Sequence, residues 1–256
     1  MKRKKPIVIA NWKMNPVSFK EAKKLFDEVK KGVTKIQNVQ TIIAPPSIYL
    51  RDLTSKYKGS RIAFGVQNIS PEKKGSYTGE ISVPMVKDSG AAYAIVGHSE
   101  RRAIGETNEL VHKKLESALM QGMTVVLCIG ESERDHDAQY LTFLKEQLTI
   151  ALRSIEARFL RKLIIAYEPI WAIGKTENEA MKPHDVHQMV IFIRKILTER
   201  YDMKIAQKVP VIYGGSAEPG NAEELLRDGE IDGFLVGHAS LDSKDFVEIL
   251  QIASKS

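Results

Sequence analysis

Eight short runs of β-branched and apolar residues recur along this chain, each followed by a stretch of helical character. The runs are Ile7–Ala10, Thr41–Ala44, Ile62–Val66, Tyr93–Val96, Thr124–Ile129, Leu163–Tyr167, Val209–Tyr213 and Gly233–Val236. They are nearly continuous in hydrophobicity rather than alternating, as strands covered on both faces of a parallel sheet must be. Between them lie Ser18–Gly32, Ser47–Tyr57, Val83–Ser89, Thr107–Gln121, Asp137–Ala157, Lys182–Tyr201, Asn221–Arg227 and Ser243–Ala253. Ser18 and Glu21 stand in capping-box spacing, Gly32 reads as a stop, and Pro183 sits where a first helical turn tolerates it. Eight units in 256 residues are about 32 residues each, the size of a strand–helix–strand unit. No Pro/Gly/Ser-rich linker divides the chain. The pattern predicts one α/β domain over residues 1–256, an eight-stranded parallel (β/α)8 barrel with an outer ring of helices. An open doubly wound sheet is the alternative, since alternation alone does not prove closure.

Composition narrows the setting. One cysteine, Cys128, cannot form an internal disulfide, which favours a reducing cytoplasm; within its strand it reads as a small buried hydrophobe. The basic start Met1-Lys2-Arg3-Lys4-Lys5 has the charge of a signal-peptide leader, but the run after it is too short for one and ends at Asn11, so residues 1–5 read as a solvated tail. No stretch approaches the ~20 apolar residues of a membrane span. The formal charge is +6, yet the lysines are scattered and form no nucleic-acid reader motif. A cleft for a phosphorylated metabolite would also be basic. Neither nucleic acid nor membrane is expected as a partner. His184 and His187 share a helix face without convincing further ligands, so no metal is expected. Asn68-Ile69-Ser70 matches a glycosylation sequon, idle in a cytoplasmic protein.

In barrels of this kind the active site lies at the carboxyl ends of the strands, so polar residues just after each run are the functional candidates. After the sixth run comes Glu168, held extended by Pro169. An apolar segment follows, Ile170-Trp171-Ala172-Ile173, closed by Gly174 and continued by Lys175 and Thr176. Residues 169–176 read as a lid over a ligand, with Glu168 beneath it as a base. After the first run stands Lys13, a cation for oxyanion or phosphate charge. After the fourth come His98, which can donate from one ring nitrogen while the other is held, and Glu100, able to pair with a lysine across the mouth. Tyr213-Gly214-Gly215-Ser216 and Gly237-His238-Ala239-Ser240 end the seventh and eighth runs. Paired glycines let backbone N–H groups converge on an anion, and phosphate sites in such barrels use these two loops. The long segment Gln67–Ser82 has the length of a functional or interfacial loop.

Asn11-Trp12-Lys13-Met14-Asn15, Gln67-Asn68 with Tyr77-Thr78-Gly79-Glu80-Ile81, Gly97–Arg102, Tyr167–Thr176 and Tyr213–Ser216 together resemble the triosephosphate isomerase family from about Pro6 to Ala253. The resemblance implies the TIM-barrel fold and the interconversion of dihydroxyacetone phosphate and D-glyceraldehyde 3-phosphate in glycolysis and gluconeogenesis. It implies Glu168 as the base, His98 as a neutral electrophile that relays protons, and Lys13 beside Asn11 facing an enediolate. Glu100 would position Lys13, and Ser99 would hold Glu168 while the lid is open. The backbone at Gly174, Ser216 and Gly237 would bind phosphate, and Thr78 would lie at the tip of a loop inserted into a second subunit of a homodimer. No cofactor is implied.

One departure is visible. His238 stands where the family commonly has a second glycine; its N–H survives for the phosphate, but its Cβ would clash if that position required φ > 0 or close approach of the phosphate. Two other readings compete. A Schiff-base aldolase needs a lysine on a strand inside the barrel, and Lys13 lies beyond its run. A catalytically dead barrel serving as a scaffold would have lost Glu168, His98 or Lys13, and all three are present.

Overall fold

Each expected run becomes a strand in the computed structural model, which describes residues 5–135, 137–174 and 180–256. The strands are β1 (Ile7–Asn11), β2 (Gln40–Ala44), β3 (Ile62–Val66), β4 (Tyr93–Val96), β5 (Thr124–Ile129), β6 (Leu163–Tyr167), β7 (Val211–Tyr213) and β8 (Gly233–Val236). They pair in sequence order and form a closed barrel. Closure is made by β1 against β8, parallel, with Ile7 opposite Gly233 and Ala10 opposite Val236. The open-sheet alternative is thereby excluded.

The helices among the described residues are α1 (Phe19–Gly32), α2 (Ser47–Lys56), α3 (Val83–Asp88), α4 (Ser99–Ala103), α5 (Asn108–Met120), α6 (Gln139–Ala151), α7 (Pro183–Arg200), α8 (Met203–Ala206), α9 (Pro219–Asp228) and α10 (Ser243–Lys255). No described helix is long and apolar enough to cross a membrane.

Closure explains the unbroken apolar runs, because both faces of every strand are covered. Ile7, Ile9, Ile42, Val126, Cys128 and Ala166 pack together inside the barrel. Their neighbours Val8, Ala10, Ile43, Val125, Leu127 and Ile165 face outward and pack with helix residues such as Phe26, Leu115, Leu148 and Phe246. Successive side chains on a strand point to opposite faces, so each run feeds two cores at once.

Several boundary signals act as read. The Ser18 and Thr107 side chains cap α1 and α5, accepting from Glu21 N and Leu110 N at 3.2 Å. Pro183 opens α7.

Gly32 ends α1 as expected, without the left-handed turn of a usual glycine stop. It is right-handed at φ −61° and continues into the 3₁₀ turn Val33–Lys35; a Cβ there would lie 2.4 Å from Val247 Cγ2, so α1 needs glycine to meet α10. The seventh strand begins at Val211 rather than Val209, since Pro210 has no N–H for a ladder; its carbonyl still accepts from Ile165 N at 2.9 Å. Helix α6 stops at Ala151, short of Ala157, where the following turn is tied to the end of α7 through Arg200 to Arg153 O and through Tyr201 Oη to Ile155 O at 2.9 Å. The short helices α4 and α8 carry too few residues for a periodic signal.

Candidate active site

The pleat settles where the strand-end residues point. On β6, Ala166 faces the barrel interior and Tyr167 the outer layer, so Glu168 turns inward again, into the mouth. Asn11 follows the same rule on β1, after inward Ile9 and outward Ala10. Both are buried, Glu168 at 2% exposure. With Lys13, His98, Gly174, Ser216, Gly237 and His238 they line one cavity of about 310 Å3 at the carboxyl ends of the strands.

Glu168 is fixed by its backbone, which donates to Ile129 O at 2.8 Å, and by the Ser99 N–H, which donates to its Oε2 at 3.0 Å. Ser99 thus holds the carboxylate with its main chain. The other oxygen, Oε1, stands 3.4 Å from His98 Nε2 and has no hydrogen-bond partner. It is the atom left free to take a proton. Glycine at position 214 makes room for it: a Cβ there would lie 2.8 Å from Glu168 Cγ.

His98 follows Gly97, whose φ of +74° breaks the strand alternation and turns the imidazole into the mouth. The Glu100 N–H donates to His98 Nδ1 at 3.2 Å. With Nδ1 taken up by that bond, Nε2 is the ring nitrogen left to face Glu168 and the cavity.

Lys13 is left-handed at φ +53°, a state that costs a non-glycine residue roughly 1–3 kcal/mol and marks over-determined sites. Its peptide is clamped on both sides. Its N–H donates to Asn11 Oδ1 at 3.1 Å, and its carbonyl accepts from Gln67 Nε2 at 2.9 Å. Lys13 Nζ meets Glu100 Oε1 at 2.7 Å, the pairing across the mouth that the sequence suggested.

The far end of the cavity is formed by Gly214, Gly215, Ser216, Gly237 and His238. His238 opens a 3₁₀ turn, His238–Leu241, and is absent from the non-glycine residues with positive φ. The clash expected of a positive φ does not arise, and the side chain is exposed.

This arrangement has the strand-end pattern of one enzyme family throughout. A family model described as triosephosphate isomerase matches residues 6–253. The chain belongs to the triosephosphate isomerase family. It is similar to triosephosphate isomerase of Endomicrobium trichonymphae, 39% identical over 251 residues, covering 97% of this chain and 98% of that protein. The protein of the same name from Alkaliphilus oremlandii is 39% identical over 249 residues, covering 96% and 99%. That of Syntrophotalea carbinolica is 35% identical over 255 residues, covering 97% and 98%.

Within this family framework, the strand-end rule also reaches a residue that the sequence reading passed over. Glu131 follows β5 by two residues, is 1% exposed, and receives three side chains on Oε1. Tyr167 Oη donates at 2.7 Å, Trp171 Nε1 at 3.0 Å and Arg134 Nε at 3.3 Å. Burial first, and then the Glu131 carboxylate, push the Tyr167 phenol well above its usual range, so it stays a donor. Ile170 N also donates to Glu131 O at 2.9 Å, and Ser216 Oγ to Ala172 O at 3.0 Å. These bonds seat the 3₁₀ turn Ile170–Ala172, half-burying Trp171. Of the expected lid, Lys175 and Thr176 lie outside the described residues.

The other sequence candidates do not line the cavity. Cys128 is buried inside the barrel, where burial first and then the neighbouring Glu168 carboxylate raise its thiol. Asn68 Oδ1 accepts from Lys114 Nζ at 2.7 Å. His184 and His187 each approach a different carboxylate, Asp185 and Glu230, at 3.9 and 3.8 Å. Among the described residues no three metal-ligating side chains converge.

Proposed function

We propose that this chain interconverts dihydroxyacetone phosphate and D-glyceraldehyde 3-phosphate by moving a proton between adjacent carbons through an enediolate. The observation that carries the reading is Glu168 Oε1, without a hydrogen-bond partner and 3.4 Å from His98 Nε2, in a cavity also lined by glycine loops. Glu168 takes the proton from the carbon next to the carbonyl. His98 donates toward the carbonyl oxygen and passes protons between the two oxygens, while Lys13, steered by Glu100 and beside Asn11, offsets the developing negative charge. Backbone N–H groups around Gly174, Ser216, Gly237 and His238 hold the phosphate. The lid, Pro169 to Thr176, excludes water, without which an enediolate phosphate readily loses its phosphate. Neither step calls for a metal or an organic cofactor.

The same reading takes the chain as one barrel domain with a basic tail at residues 1–5, working in the cytoplasm as a homodimer with no nucleic-acid or membrane partner. Supporting a dimer, residues 72–80 are exposed around Thr78. Met14, Val17, Ile48 and Met85 are 92%, 85%, 78% and 54% exposed, and Gln67 Nε2 ties the start of that loop to Lys13 O and Ala44 O at 2.9 Å each. Apolar side chains this exposed are ones that a partner surface would cover.

A coupled assay with glyceraldehyde 3-phosphate tests the core of the proposal. Wild type turns over, and E168Q loses roughly 10³-fold in kcat. A silent wild type, or a mutant equal to it, refutes the mechanism. Light scattering tests the dimer.

A further inference from the structure

The turn that presents His98 is held by a side chain that the mechanism leaves unused. Both peptide groups of left-handed Gly97 are taken up by side chains. Arg102 Nε donates to Gly97 O at 2.7 Å, and Gly97 N–H donates to Glu106 Oε1 at 3.1 Å. The same guanidinium donates from Nη1 to Asn108 Oδ1 at 2.6 Å and from Nη2 to Cys128 O at 3.3 Å. Cys128 lies on β5, and the next carbonyl along that strand, Ile129 O, receives the Glu168 N–H at 2.8 Å. One planar fork therefore joins the turn bearing His98 to the strand end from which Glu168 hangs. The junction has no slack: a Cβ on Gly97 would lie 3.0 Å from Arg102 Nη2 and 3.2 Å from Cys128 O.

We propose that Arg102 is a positioning residue for the reaction, fixing the separation of His98 Nε2 and Glu168 Oε1 by gripping Gly97 O on one side and Cys128 O on the other. The inference rests on the reading of His98 and Glu168 as electrophile and base. A displacement of about 1 Å between such groups costs on the order of 10²-fold in rate. Lysine would keep the charge but lose the planar fork that spans two carbonyls. Glu106 does not depend on Arg102 for its charge partner, since the Lys114 ammonium and, at 3.5 Å, Arg101 Nε also reach it. Removing Arg102 therefore leaves no isolated buried carboxylate.

The test is a double-mutant cycle on the full chain in the coupled assay, with R102M, R102K, H98N and R102M/H98N. R102M is expected to lower kcat roughly 10–100-fold with KM within about twofold, and added guanidinium to restore part of it. In the H98N background the same change should cost less than about threefold, because the group being positioned is gone. Losses that multiply fully in the double mutant overturn the proposal. So does an R102M enzyme that loses thermal stability while kcat holds. If R102M does not fold, R102K decides: a kcat reduced roughly tenfold supports positioning, and an unchanged kcat overturns it. An H98N enzyme as fast as wild type would instead overturn the assignment of His98, which separates failure of that reading from failure of this one.

Discussion

The ends of β5 and β6 carry two carboxylates in similar settings with opposite fates. Glu131 and Glu168 are 1% and 2% exposed, sit on neighbouring strands, and each keeps one oxygen without a partner. The pleat separates them. Cys128 points inward, so Ile129 points outward and Glu131, two residues on, follows it to the outer layer. There it meets outward Tyr167, Trp171 and Arg134. Glu168, two residues after inward Ala166, enters the mouth and meets a single N–H donor and an imidazole. Burial of a carboxylate is therefore not what distinguishes a base. One carboxylate gathers three side-chain donors on a single oxygen and braces a turn; the other takes one N–H and lines the cavity.

Making the same substitution in both places is the strongest test of that contrast. E168Q should remove roughly 10³-fold from kcat while the urea midpoint barely moves. E131Q should do the reverse, costing about 2 kcal/mol of stability through weakened bonds to a charged acceptor, with kcat within about tenfold of wild type. Equal losses of kcat in the two variants would erase the distinction.

A smaller effect sharpens the inward side. G214A places a Cβ 2.8 Å from Glu168 Cγ, and displacing the carboxylate should lower kcat roughly 10–100-fold; normal turnover would mean that Glu168 has more room than its contacts indicate.

W171F probes the outward side. It removes one donor to Glu131, worth about 1 kcal/mol, so limited proteolysis within the lid should quicken about fivefold. A phosphate-bearing enediolate analogue should slow cleavage in both forms, and cleavage indifferent to the analogue would count against closure.

The smallest change is expected from H238G, since the imidazole is exposed and the backbone there needs no positive φ. KM should shift by a few-fold. A drop in kcat/KM beyond about a hundredfold, some 2.7 kcal/mol, would reveal a direct role for the ring.

Much of this was legible in the chain. The eight apolar runs follow from burial on two faces, and the Ser18 cap and the start of α7 at Pro183 involve residues within one turn, so local sequence suffices to find them. Glu168, His98 and Lys13 were accessible because each directly follows a strand. Glu131 was accessible by the same rule, applied one strand earlier. What escaped reading depends on partners distant in sequence. Gly32 ends α1 as the sequence says, but the packing that requires glycine there is hidden until Val247 is seen against it, 215 residues on. Arg102 looks like a surface charge until the Cys128 carbonyl arrives beneath it, 26 residues on.

The sequence by itself determined the strand count, the parallel order and the set of polar residues at the strand ends, because these rest on local hydrophobicity and chain stereochemistry. Only the tertiary structure decided which of those residues face the mouth. An unbroken apolar run does not say which of its faces is inside, and that parity appears only when the sheet closes and gives each strand an interior.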